Sequence, residues 1–387
     1  MPDTIHNRLD PTPVTPVFGR VTEKVRPGAG ALLVATSAIQ AKYDALGGAA
    51  TLGTPREREL ELWTFDGSCI AYDSRSGHAY EIHGAIYAKW LELGGTRFGT
   101  PDTDETGTPD GVGRYNHFNG GTASIYWSPA SGAHAIYGAI RDHWSSMGWE
   151  NSYLGYPTSD EQDFGDGGRA NEFQNGGIYF WGDTGAIDLR DVAVRYRGLH
   201  CFGETDWDQG SSADEPYAIV AITTPQTAVT VTTPVEGGVD GGESRAEDVE
   251  IWRGRPYGLN LGIAMMEHDD GDPNKYRDDI QKAVQAAHEA GVKALNLIPY
   301  VGPAVAAIAG PLLGALVPPV AQAISDVLDL GDDSIGTATM TVSARDEVLM
   351  ASRGQDRQWE ALSFRLESPL MSGEGASYKV YFSIVAV

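Results

Sequence analysis

Leu52-Gly53-Thr54-Pro55, Phe98-Gly99-Thr100-Pro101 and Leu154-Gly155-Tyr156-Pro157 are three copies of one turn, and the residues around them recur with it. Before each turn stand an apolar trio and a glycine: Ile39, Tyr43, Leu46 and Gly47, then Ile86, Trp90, Leu93 and Gly94, then Ile140, Trp144, Met147 and Gly148. A glutamate follows four residues past each proline, at Glu59, Glu105 and Glu161. An aromatic segment closes each copy, with Phe65 and Tyr72, then Phe118, Gly120-Gly121 and Tyr126-Trp127, then Phe173, Gly176-Gly177 and Tyr179-Phe180-Trp181. A unit that recurs at this length implies stacked modules.

Each part has a physical reason. Positions i, i+4 and i+7 share one helix face, so every unit supplies a two-turn helix with a buried stripe, and the following glycine suits a left-handed cap. The Gly-x-Pro segment ends the helix and turns the chain. The alternating aromatic and small residues beyond it predict short hairpin strands. One unit cannot bury its apolar face alone, so the three must stack.

These residues resemble the LGFP repeat, named for its Leu-Gly-x-Pro core, over residues 37–190. The resemblance implies an actinobacterial cell-envelope or secreted protein whose repeats bind the envelope, so the implied partner is a cell-envelope glycan and the implied location is secreted or cell surface. The spacing is uneven, with 46 residues from Gly53 to Gly99 and 56 from Gly99 to Gly155, and the first hairpin (Asp66-Gly67-Ser68-Cys69) lacks the glycine pair of the others.

The 387 residues allow two or three domains. A formal net charge of -25 argues against nucleic acid and against simple docking on anionic lipid. Cys69 and Cys201 lie in different segments, and both a disulfide and two separate thiols fit. Residues 1–36 read as an extended arm, with Pro11, Pro13 and Pro16 and no apolar stretch of a signal peptide.

A second domain is expected over 199–387. Strand-like runs at 217–222, 228–232, 249–252, 259–266, 337–342, 361–366 and 378–385 predict a β-sandwich. Acidic clusters sit at its loops, and Asp206, Asp208, Asp269, Asp270, Asp332 and Asp333 are the candidate ligands of a calcium ion (Ca2+), which takes oxygen from converging loops. The last two clusters also weakly resemble the loops of calcium-dependent lipid-binding sandwiches. Solvated acidic turns explain the same residues.

Between those clusters an inserted helical hairpin is expected over 275–330. Tyr276, Ile280, Val284, Ala287, Gly291, Leu295 and Ile298 form the stripe of an amphipathic helix. From Ala294 to Ser325 there is no charge. Pro303, Pro311, Pro318 and Pro319 divide that run into pieces shorter than the roughly 20 residues of a spanning helix. Two readings follow: a hairpin packed on the sandwich, or a membrane contact through 294–325 as in a toxin.

No nucleophile elbow, metalloprotease helix, Cys-x-x-Cys or phosphate loop is present, and His83, His134 and His143 read as turn or packing residues. The chain therefore reads as a non-enzyme. For ligand contact the candidates are the hairpin aromatics Tyr72, Tyr126, Trp127, Tyr179 and Trp181, whose alternative role is core packing. Glu59, Glu105 and Glu161 either close their own loops by accepting backbone N-H groups or bind a sugar hydroxyl. The fold class is α+β: three helix-turn-β-hairpin repeats, then a β-sandwich with an apolar hairpin. The function is non-enzymatic surface binding, and the alternative is an effector with a membrane-active C-terminal domain.

Overall fold

The structure is a computed structural model that describes residues 29–203, 214–268, 272–294, 304–328, 334–373 and 375–387. Helix α1 (Ala29–Ala45) leads into a four-stranded antiparallel meander, β1 (Glu57–Arg58), β2 (Leu62–Phe65), β3 (Ser68–Asp73) and β4 (His78–His83). Helix α2 (Gly84–Glu92) starts directly from β4 and precedes β5 (Thr106–Gly107), β6 (Arg114–Phe118), β7 (Ala123–Ser128) and β8 (Gly132–Tyr137). Helix α3 (Gly138–Ser146) then precedes β9 (Gln162–Phe164), β10 (Gly168–Phe173), β11 (Gly176–Trp181) and β12 (Gly185–Leu189). Each hairpin expected from the sequence is thus the middle of a four-stranded sheet.

The glycines after the helices take the left-handed conformation, with φ of 94° at Gly47, 100° at Gly94 and 97° at Gly148, where a side chain would be strained. Ile39, Ile86, Ile140, Trp90 and Trp144 are at most 1% exposed. Tyr43 and Trp90 donate from the ring to the turn carbonyls of Gly53 (2.7 Å) and Gly99 (2.9 Å), so the buried polar end of the helix aromatic locks the Gly-x-Pro turn. Helices α2 and α3 each touch the sheet before and the sheet after, which is how the units stack.

The C-terminal part holds two antiparallel sheets around one core. The first joins β13 (Val192–Gly203), β16 (Ser244–Gly254) and β23 (Ala376–Ala386) in the order β16-β13-β23, with β21 (Leu366–Glu367) and β22 (Met371–Gly373) along β23. The second runs β15 (Ala228–Thr232), β14 (Pro216–Thr223), β17 (Leu259–Glu267), β18 (Ser334–Val342). Val194, Tyr196, Val380 and Phe382 of the first sheet pack with Val220, Ile222, Leu261 and Ile263 of the second. Helix α6 (Ala344–Arg353) and the hairpin β19 (Arg357–Trp359) with β20 (Leu362–Phe364) complete this part. The core is continuous with the third repeat, since Phe164, Tyr179, Trp181 and Leu189 belong to the same cluster.

Strand β13, absent from the sequence reading, is the centre of the first sheet. Its alternation is interrupted at Gly198, where the register shifts and φ is +121°. A Cβ there would stand 2.0 Å from the Arg245 carbonyl, so only glycine fits the bulge.

Helices α4 (Arg277–Ala294) and α5 (Ala304–Leu328) cover the outer face of the second sheet. Ile280, Val284, Leu316, Val320 and Ile324 pack there on Ile219, Ala221 and Met266, each burial contributing about 1.5–3 kcal/mol. Gly291 permits the approach, because a Cβ would meet Leu316 at 2.5 Å. The prolines do not divide the run as expected: α5 is one helix of 25 residues through Pro311, Pro318 and Pro319. Pro318 and Pro319 are exposed, as are Gly314 and Ala315, whose carbonyls lose their helical partners, so the broken bonds lie on the solvent side while the opposite face is buried. Among the described residues no helix is long and apolar enough to cross a membrane. Cys69 and Cys201 are buried in separate clusters and are not bridged.

Candidate functional site

The hairpin aromatics do not share a surface. Tyr126, Tyr179 and Trp181 are 2%, 0% and 3% exposed, so their rings are core and offer no open face. Tyr72 and Trp127 are half-buried against the clusters of the first and second units. The physical reason is that each unit has few apolar residues besides these with which to fill the space between helix and sheet. The calcium candidates Asp206, Asp208, Asp269, Asp270, Asp332 and Asp333 all lie outside the described residues. Among the described residues no group of three His, Cys, Asp or Glu is arranged to hold a metal.

The turn glutamates behave differently in the three units. Glu105 takes the Arg114 guanidinium and the His83 ring, the latter at 3.0 Å, and accepts from the His83 backbone N-H at 3.3 Å. Glu161 takes Arg169 Nε at 2.9 Å, and burial nevertheless raises its carboxyl above the usual range. Glu59 is exposed. None closes its loop through that loop's own N-H groups.

That bridging role falls to the residue just before, which the sequence reading missed. Asp104 accepts from the Glu81 N-H (3.0 Å) and Asp160 from the Ala135 N-H (2.8 Å), each reaching the last strand of the preceding unit. Lys42 of α1 pairs with Asp104 and Lys89 of α2 with Asp160. Burial disfavours the ionised Asp160, but hydrogen bonds from His134, the Ala135 N-H and Lys89 outweigh it and hold the carboxyl below its ordinary value. Asn116 donates to the Glu81 (3.2 Å) and Thr103 (2.9 Å) carbonyls, and Asn171 likewise to Ala135 (3.1 Å) and Ser159 (2.9 Å).

The signal was in the repeat. Three residues past the proline stand Arg58, Asp104 and Asp160; two before the hairpin phenylalanine stand Trp63, Asn116 and Asn171; four before it stand Glu61, Arg114 and Arg169. The first unit lacks the whole set.

A cleft lies at the first junction. A cavity of about 640 Å³ opens between units one and two, lined by Asp66, Gly67 and Ser68 of the β2–β3 turn, Glu81 and His83 of β4, and Asp104, Glu105 and Arg114. The His83 ring is held between Glu81, which it meets through Nδ1, and Glu105 on the other side, and it stays 43% exposed. Burial raises the Glu81 carboxyl, with His83 opposing. The position of His83, last in the fourth strand, is Tyr137 at the next junction, where the ring fills the space beside Phe98 and Arg169. The open cleft thus presents fixed carboxylate acceptors beside guanidinium and imidazole donors, a set suited to hydroxyl-rich ligands.

No curated protein matches this chain. Residues 98–152 and 154–199 match the family model of the LGFP repeat, and both segments carry the Asp, Glu, Arg and Asn junction positions. The chain thus carries LGFP repeats over this part of its length.

Proposed function

We propose that this protein is a non-enzymatic binding protein that holds a cell-envelope glycan in the cleft between its first two repeats. The observation that carries the reading is the His83 ring fixed between Glu81 and Glu105 with Arg114 beside them, at the mouth of an open cavity. Carboxylates accept from sugar hydroxyls, and arginine and histidine donate to them. The cell-envelope association common to LGFP repeats supports the choice of ligand. The calcium expectation is carried by the sequence alone.

The test is sedimentation of the full chain with purified actinobacterial cell walls. Binding should be saturable, and His83→Ala and Glu105→Gln should each weaken it several-fold while circular dichroism stays that of the parent. Undiminished sedimentation of both variants would move the site elsewhere.

A further inference from the structure

The same framework positions that line the first cleft recur where the third repeat meets the C-terminal domain, with the opposite chemistry. Tyr153 replaces Thr51, Gln174 replaces Asp66, Asn175 replaces Gly67 and Arg190 replaces His83. Together with Asp191 and Arg255 they line a pocket of about 520 Å³. In a chain of net charge -25, a lining with two guanidinium groups and one carboxylate, Asp191, is a local excess of positive charge.

The donors there are held in place and partly unused. Arg190 stacks on the Tyr153 ring, its guanidinium carbon 4.9 Å from the centroid, and no carboxylate among the described residues lies within 4.0 Å of it. Tyr153 is itself pinned, its hydroxyl donating to Asp188 at 2.7 Å and its carbonyl accepting from Asn175 at 3.1 Å. Stacking fixes the guanidinium plane, so little side-chain freedom is lost when it engages a ligand. Arg255 donates to the Arg190 carbonyl at 2.6 Å and lies 3.5 Å from Glu172 and 3.6 Å from Asp191, which anchors it beneath the pocket. Gln174 accepts from the Tyr156 N-H at 3.1 Å, an arrangement that leaves its amide NH2 for a ligand.

We infer that this pocket binds an oxyanion, a carboxylate or a phosphate, carried on a sugar. Arg190 and Arg255 meet the anion, since a planar fork matches both groups. Gln174 and Asn175 meet hydroxyls, and the edge of Tyr153 meets the ring. The proposal does not rest on the cleft between the first two repeats: its probes are small soluble anions, so it stands or falls apart from cell-wall sedimentation.

The experiment is calorimetric titration of the full chain, at low salt, with glucuronate, glucose 1-phosphate, inorganic phosphate and glucose. At least one of the two anionic sugars should bind with a Kd below about 1 mM, and neutral glucose should not bind. Arg190→Gln should weaken that binding at least about tenfold, with thermal melting little changed, because among the described residues Arg190 has no ion-pair partner and loses only its exposed stack on Tyr153. Arg190→Lys, which keeps the charge and loses the fork, should fall between. The proposal is overturned if neither anionic sugar binds, if glucose binds equally well, or if Arg190→Gln binds like the parent. Inorganic phosphate binding as tightly as glucose 1-phosphate would overturn the assignment to a sugar.

Discussion

His143 Nε2 and Asp188 Oδ1 meet at 2.7 Å at the end of the repeat array. In the two earlier units the helix residue at this position, Lys42 or Lys89, reaches an aspartate supplied by the following unit. The third unit has no successor. Asp188 occupies the strand position held by Glu81 and Ala135 in the earlier sheets, and it brings the carboxylate to the helix from within its own unit. Hydrogen bonds from His143 and Tyr153 outweigh the effect of burial and lower its carboxyl pKa. The last repeat is thereby capped by changes at two positions, one in the helix and one in the strand.

Asn171 should prove the strongest polar clamp of the array. Replacing it by alanine removes two hydrogen bonds to the Ala135 and Ser159 carbonyls in a buried setting. The expected cost is about 2–3 kcal/mol in urea unfolding. The same change at an exposed asparagine such as Asn175 should cost well under half as much.

Trp181 should behave as core and not as a ligand platform. It is 3% exposed, packs on Phe164 at 5.6 Å between centroids and donates to the Gly165 carbonyl at 2.9 Å. Trp181→Ala should destabilise by about 3–5 kcal/mol, read as a lowered melting temperature. Preserved melting with lost cell-wall binding would return the aromatics to the ligand site.

Glu172 makes stability depend on pH. Burial raises its carboxyl to about 7, with the Arg255 charge opposing, against 4.5 for an ordinary glutamate. Because the folded-state value is the higher one, its contribution is complete below pH 4.5 and is lost as pH rises through 7. The difference corresponds to roughly 3 kcal/mol. Glu172→Gln, always neutral, should match the parent near pH 4.5 and melt several degrees higher at pH 8. Parallel melting curves from pH 5 to pH 8 would show that Arg255 compensates the buried charge.

The apolar hairpin should stay on its sheet. Ile324→Ala removes a side chain that is 2% exposed and should cost about 2–5 kcal/mol. The parent protein should release no dye from anionic liposomes, with or without millimolar calcium. Release would favour the membrane-active alternative.

Much of the repeat was legible along the chain. The Ile-x-x-x-Trp helix stripe, the capping glycines and the Gly-x-Pro turn are local features, set by helical periodicity and by the φ angles that glycine and proline allow. The C-terminal strands were readable where apolar and β-branched residues run together, as in β14 and β17, but β13 was not, because the bulge at Gly198 cuts short the alternation of Val194, Arg195, Tyr196 and Arg197. Helix α5 was misread for a related reason: proline penalties are local, whereas the burial of Leu316, Val320 and Ile324 that offsets them exists only against the sheet.

The sequence by itself determined the repeated unit, its count and the net acidity of the chain. Only the tertiary structure decided which repeated residues face a neighbour. Tyr126, Tyr179 and Trp181 look like ligand platforms in one dimension and are core in three, while Asp104, Asp160, Asn116 and Asn171 look like ordinary loop and strand polar residues and are the clamps between units. The reason is that stacking leaves buried backbone groups at each junction which a side chain from the next unit must satisfy. That pairing spans 23 residues between Glu81 and Asp104 and 25 between Ala135 and Asp160, beyond the reach of local patterning.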